Sequence, residues 1–469
     1  MTTATGLPDR RTFLIGSVAF GSSLTLLTSL SAAPISVLPR KSMPAVETNP
    51  AELQILRDAI GLLKAKDSGG VASDGWEAIA NPHINHCFTG DDREIHFSWW
   101  FWPWHRAYLL AMEKRLQHVV SEPALRLPYW DWFSVRDIPG PLGLPTYRTA
   151  SGVTKPNPLF DATRAKSAAE RPPPLNTVTI TNAVLGGYAS EADLLKSSNF
   201  SNVGGRLAPA GGARSTTGIV EAGPHNNLHV WIGGLSGNMA QAFSPRDPAF
   251  LLHHSNIDRL WTIWASLTTG GAHNNPTDAD WLNRTFPMPH PSGVGTQSYK
   301  ISELLDTTAL GYNYEGETIR VAQASGSQGG AVLSIKMNSR PLDLSGGQAR
   351  TELRSLAAPD TARLRELAPS RPGTLILDGI TLPTTTTSIS VYLQSENLKE
   401  NDENTQVGIY TFLNPTGHAI NTSAAIPLPQ RIGELIAKQP NLGFSIVVPS
   451  PNRERLGGFM VQELRLTFE

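Results

Sequence analysis

The chain has 469 residues, of which 17% are charged, and a formal net charge of -1. That length exceeds one ordinary core and predicts two or three domains. The near-neutral balance gives no electrostatic ground for nucleic acid or an anionic membrane as partner. The lone cysteine, Cys87, excludes an internal disulfide framework.

The chain opens with "PDRRTFLIGSVAFGSSLTLLTSLSAAP". Arg10 and Arg11 precede Phe13 and Leu14, an apolar run extends to Leu30, and small residues follow at Ser31, Ala32 and Ala33. Gly16 and Gly21 dilute the run, as in a cleaved export segment rather than a membrane anchor. Residues 1–33 therefore resemble a twin-arginine signal, which implies an exported, periplasmic or extracellular protein.

Residues 51–66, 105–120 and 249–267 show helical apolar spacing. The Pro- and Gly-rich stretches 139–145 and 208–218 read as loops. Beyond His290 the texture changes: residues 331–337, 374–380, 388–393, 407–413, 444–449 and 464–468 are short, β-branched runs bounded by turn residues. They predict a β-sandwich or barrel, with residues 431–439 as a helix inside it. All 11 tryptophans lie between Trp76 and Trp281, so the chemistry is expected in the first two thirds.

Eight of the 12 histidines fall in two windows: His83, His86, His96 and His105, then His225, His229, His253 and His254. On a helix His225 and His229 project from one face, which is ligand spacing for a metal. A zinc peptidase would need Glu after the first of them, and Asn226 stands there. His96 and His105 are about half a turn out of phase on an ideal helix. Pro103 suits a first turn, so a helix starting near it would carry His105 and leave His96 on the segment before. A third ligand from "ANPHINHC" (residues 80–87) and the second of the pair His253–His254 complete two sets of three. Three histidines without a carboxylate, twice over, favour two copper ions.

"HFSWWFWPWHRAYLLAME" and "SPRDPAFLLHHSNIDRLWTIW" resemble the copper-A and copper-B signatures of the tyrosinase and polyphenol oxidase family, the type-3 dicopper proteins. "ANPHINHC", "LPYWDW" and "DADWLNRTF" are closer to the plant branch than to the short bacterial tyrosinases, as in an exported bacterial member of that branch. The resemblance implies a mainly α catalytic domain, a four-helix bundle with long loops holding a dicopper centre, followed by the β-sandwich or barrel. The expected limits are 34–275 for the catalytic domain, 276–345 for a connecting segment and 346–469 for a β-rich domain that could shield the site. Residues 324–330 would be an exposed linker.

The same resemblance implies His83, His96 and His105 as copper-A ligands and His225, His229 and His254 as copper-B ligands. It prefers His83 to His86 because Cys87 follows it by four positions, and it implies a Cys87–His96 thioether. The implied reaction oxidises phenols and o-diphenols to o-quinones with O2. Glu221 and Asn226 match the pair associated with monophenol hydroxylation. Met239 or Phe243 would be the gate over copper A, and Asp258 could orient the helix that carries His254. A copper chaperone is the implied partner for loading. Catechol oxidase, o-aminophenol oxidase and a haemocyanin-like O2 carrier are the alternative readings.

Overall fold

The computed structural model describes residues 37–468 except 69, 71–73, 90–92, 207–214, 268–272, 317–332, 352, 354–357, 416, 418–419 and 450–456. The expected signal (1–33) and linker (324–330) lie outside the described residues. From Ser36 onward the chain forms one compact unit.

Four helices carry the first part: α1 (Pro50–Lys66), α2 (Phe101–Val120), α3 (Asn226–Gly233) and α4 (Ala249–Ser266). Asn49 caps α1 by accepting from the Glu52 N–H, and the helix buries Leu53, Leu56, Ile60 and Leu63 at helical spacing. Helix α2 starts two residues before Pro103. Proline at the third helical position still costs no intrahelical hydrogen bond, because the first four N–H groups have no partner within a helix. No helix among the described residues is long and apolar enough to cross a membrane.

The main strands of the two larger sheets are β1 (Thr216–Thr217), β2 (Leu333–Lys336), β3 (Gly373–Thr381), β4 (Thr387–Gln394), β5 (Gln406–Phe412), β6 (Asn421–Pro427), β7 (Gly443–Val447) and β8 (Met460–Phe468). One sheet runs β1-β6-β3-β8-β2, with Leu342–Asp343 also paired to β8. The other runs from Gln348–Arg350 through β7 and β4 to β5. On β4 Ile389, Val391 and Leu393 are buried and Ser388 and Tyr392 are half-buried, while Ser390 breaks the alternation by being buried as well. Strand β6, "NTSAAIP", adds to the expected set. Its small residues give little β signal, and its place is fixed by antiparallel pairing with β3.

The two parts of the chain are knitted together. Strand β1, from between α2 and α3, pairs in parallel with β6 at Thr216↔Ser423 and Thr217↔Ala424. Gly187, at φ +90°, lies where any Cβ would collide with the Val407 carbonyl, so only glycine lets that turn meet β5 backbone to backbone.

Beneath the helices Asp258 lies buried, not at a solvated helix surface. It receives Arg106 Nε at 2.5 Å, Arg40 Nη1 at 3.1 Å, and the hydroxyls of Tyr312 (2.7 Å) and Tyr314 (2.5 Å). Burial alone would raise its pKa, but Arg106 and Arg40 hold it below the usual carboxylate range. This cluster pins the strand Leu38–Arg40, paired with Tyr312–Tyr314, under the helix that carries His254.

Candidate metal centre

His83 sits on a short helix, Asn81–Ile84; His96 lies in the irregular segment before α2; His105 lies in the first turns of α2. Their ring centroids are mutually 5.2–5.7 Å apart. His83 Nδ1 contacts the Ala242 carbonyl at 2.6 Å and His105 Nδ1 the Phe101 carbonyl at 2.7 Å. A carbonyl only accepts, so both Nδ1 atoms carry the proton and both Nε2 atoms are bare. Those Nε2 atoms are buried and have no hydrogen-bond partner among the described residues. Cys87 Sγ lies 3.3 Å from His96 Nδ1. His86 is outside this group; its Nδ1 meets the Pro82 carbonyl at 2.7 Å.

The second group forms around a break in the helix. Gly223, with φ -90° and ψ -108°, and Pro224 interrupt regular geometry in the wide turn Glu221–His225, and α3 starts at Asn226. His225 therefore stands at the head of α3 and His229 one turn on. Their Nε2 atoms each lie 3.2 Å from Nε2 of His254 on α4. His229 Nδ1 meets the Met239 carbonyl at 2.6 Å, and His225 Nδ1 meets Asn226 Oδ1 at 2.8 Å. Nitrogens about 2.0 Å from one metal ion lie about 3.3 Å apart, so this spacing fits a shared cation. His253 joins the same buried group, its ring 5.3 Å from His225 and 5.2 Å from Trp132.

The two groups adjoin, with the His105 and His254 rings stacked at 4.2 Å. Phe250 stacks on His254 at 4.0 Å, and Phe101 lies 4.7 Å from His225. Trp102 and Trp104 are fully buried. Neutral nitrogen ligands in an apolar shell without a carboxylate suit copper.

Burial pushes His83, His105, His225 and His254 well below the ordinary imidazole range and His229 down to about 3. An unfolded chain would take up protons below about pH 6.5 that the folded one refuses. The stability of chelator-treated protein is therefore full above that pH and falls as pH drops towards 3, by up to about 1.4 kcal/mol per unit for each such histidine. Denaturant midpoints at pH 7.5 and 5 check this; equal stability would mean the rings are open to water.

Glu221 is buried. Its Oε1 accepts from the Phe97 N–H at 2.8 Å, and its Oε2 has no partner among the described residues. Burial pushes its pKa well above the usual carboxyl value. The Asn226 amide is held between His225 and the Thr411 carbonyl of β5, 2.7 Å from Nδ2. Of the two gate candidates, Met239 is buried and supplies its carbonyl to His229, while Phe243 is half-buried beneath Arg246. The carbonyls of Phe101, Met239 and Ala242 leave no mark in a sequence, because every residue type has one.

Residues 73–267 match the model of the common central domain of tyrosinase. The latent chloroplastic polyphenol oxidase of Prunus armeniaca is 30% identical over 314 residues, 59% of this chain and 49% of the relative. The chloroplastic polyphenol oxidase of Vitis vinifera is 31% identical over 60% of this chain and 48% of its own. The match thus spans about half the length of these curated relatives. In fold, the chain is similar to latent apple tyrosinase, with a TM-score of 0.67 and 23% identity over 93% of this chain and 98% of that one. A domain match centred on the histidine windows, relatives of one kind and a shared fold agree: residues 73–267 carry the common central domain of tyrosinase, in a chain similar in sequence to plant polyphenol oxidases and in fold to a latent plant tyrosinase.

Proposed function

We propose that this protein oxidises phenols and o-diphenols to o-quinones with O2. His83, His96 and His105 hold copper A, and His225, His229 and His254 hold copper B. The observation that carries this is the convergence of bare Nε2 atoms whose rings are fixed from behind by oxygen acceptors. Copper bound there supplies the electron transfer between phenol and O2. The chain's own groups orient the ligands, keep the pocket dry and hold a proton at Glu221 Oε2. Burial favours the protonated form of Glu221, positive charge in the site opposes it, and the balance decides whether Oε2 can take a phenolic proton.

Monophenol hydroxylation by a Glu221–Asn226 pair is the finer reading. The second reading is catechol oxidase: the Asn226 amide is already engaged by His225 and Thr411, which leaves one lone pair of Oδ1 and one N–H of Nδ2 for a water. Close approach of Cys87 and His96 supports the thioether, which peptide mapping of purified protein would reveal as a cross-link. We also read residues 34–275 as the catalytic part, 346–469 as its shield, and residues 1–33 as a twin-arginine export signal.

Oxygen uptake by copper-loaded protein, offered a monophenol and then an o-diphenol, tests the reading. Uptake with both supports tyrosinase activity, and uptake with the diphenol alone assigns a catechol oxidase. Two bound coppers with reversible O2 binding and no turnover would overturn the oxidase proposal in favour of an oxygen carrier.

A further inference from the structure

Among the described residues, strand β5 is at the end of its sheet and paired with β4 alone. An edge strand has a row of free N–H and C=O groups and is normally wet on that side. Here β5 is buried from Val407 to Phe412. What covers it is the head of α3. Asn227 Nδ2 donates to the Ile409 carbonyl at 2.7 Å and to the Val184 carbonyl at 2.9 Å, and its Oδ1 accepts from the Thr411 hydroxyl at 2.7 Å. Asn226 Nδ2 donates to the Thr411 carbonyl two residues along the same edge.

This contact has chemical direction. The Thr411 carbonyl can only accept, so the NH2 of Asn226 must face it and Oδ1 must face His225. Oδ1 can only accept, so His225 Nδ1 must carry the ring proton. A neutral imidazole has one N–H, so Nε2 is left bare, and Nε2 is the atom 3.2 Å from His254 Nε2. His83, His105 and His229 take the same form from carbonyls close by in the helical part. Of these four rings, His225 is the one that takes it through a side chain that is itself oriented by the β-rich part.

We infer that β5 fixes the tautomer of His225 through Asn226, with Thr411 and Asn227 as positioning residues, so that the β-rich part is a working component of the copper-B side and not only a cover. The inference rests on the assignment of His225 as a copper-B ligand.

Metal-free protein with ring-¹⁵N histidine, the His225 signal being identified by its loss in His225→Gln, reports the tautomer by NMR. The wild type should show Nδ1–H. Asn227→Ala, which frees the strand, should give mixed tautomers and roughly 10-fold faster loss of one of the two coppers to a chelator. If Asn227→Ala does not fold, Thr411→Val removes one anchoring bond at nearly constant shape and should move both readouts the same way. Thr411→Ser should restore them, which a purely structural packing role would not predict. An Nε2–H ring in the wild type overturns the inference, as does a folded Thr411→Val protein identical to wild type in both readouts. Failure of the wild type to bind copper would overturn the copper assignment instead, while the tautomer in metal-free protein would still decide the relay.

Discussion

His254→Gln should leave a folded protein that holds one copper in place of two and has lost oxygen uptake with both phenol classes. The reason is geometric: His254 Nε2 faces the Nε2 atoms of both His225 and His229 at 3.2 Å, so its removal opens the set at its shared corner. Altering groups one bond further from a metal already costs about 10- to 100-fold in affinity or activity, so a ligand should cost more than about 100-fold. Copper counted per chain, together with the rate on an o-diphenol, measures the effect. The matching change at His253, His253→Gln, separates the neighbours. His253 shares the burial and lies in the same group, but its ring stacks against His225 and lies tilted against Trp132. Loss of copper from His253→Gln and not from His254→Gln would exchange their roles.

The largest effect on stability is expected away from the metal. Asp258→Asn removes the carboxylate that Arg40 and Arg106 share, and it puts an amide against the hydroxyls of Tyr312 and Tyr314. Breaking a buried ion pair on one side leaves uncompensated charge and costs about 3–5 kcal/mol. Arg40 keeps Glu113 at 2.9 Å, but Arg106 has no other carboxylate in its hydrogen bonds among the described residues, only the Leu304 and Asp258 carbonyls and the Thr262 hydroxyl. Denaturant unfolding of copper-free protein checks the cost. A loss below about 1 kcal/mol would show that water reaches these groups.

The metal groups were legible because histidine is scarce, and imidazoles repeated at ligand spacing on apolar helices need a common partner to offset their burial. Helices α1, α2 and α4 were legible too, since their boundaries follow apolar spacing to within a few residues. Asp258 was visible only as one turn beyond His254; its partners come from Arg40 and Tyr314, more than 200 residues and more than 50 residues away in sequence. Strand β5 was predicted, but not its burial on both sides. The pattern of "QVGIYTF" specifies a strand and says nothing about which part of the chain covers its free edge. Asn227 looked like any polar helix residue, and its importance comes from its three partners on other elements.

Three histidines take their orientation from the main chain of Phe101, Met239 and Ala242, and this shapes how the protein can change over generations. A peptide oxygen survives any side-chain replacement that keeps the backbone in place, so those positions can drift in identity while the rings behind them stay set. His225 has no such insurance. Its acceptor is the side chain of Asn226, a group that a single codon change can delete or reverse. Of the four rings held in this way, His225 is the one whose proton position a point mutation at residue 226 can change while every histidine stays in place.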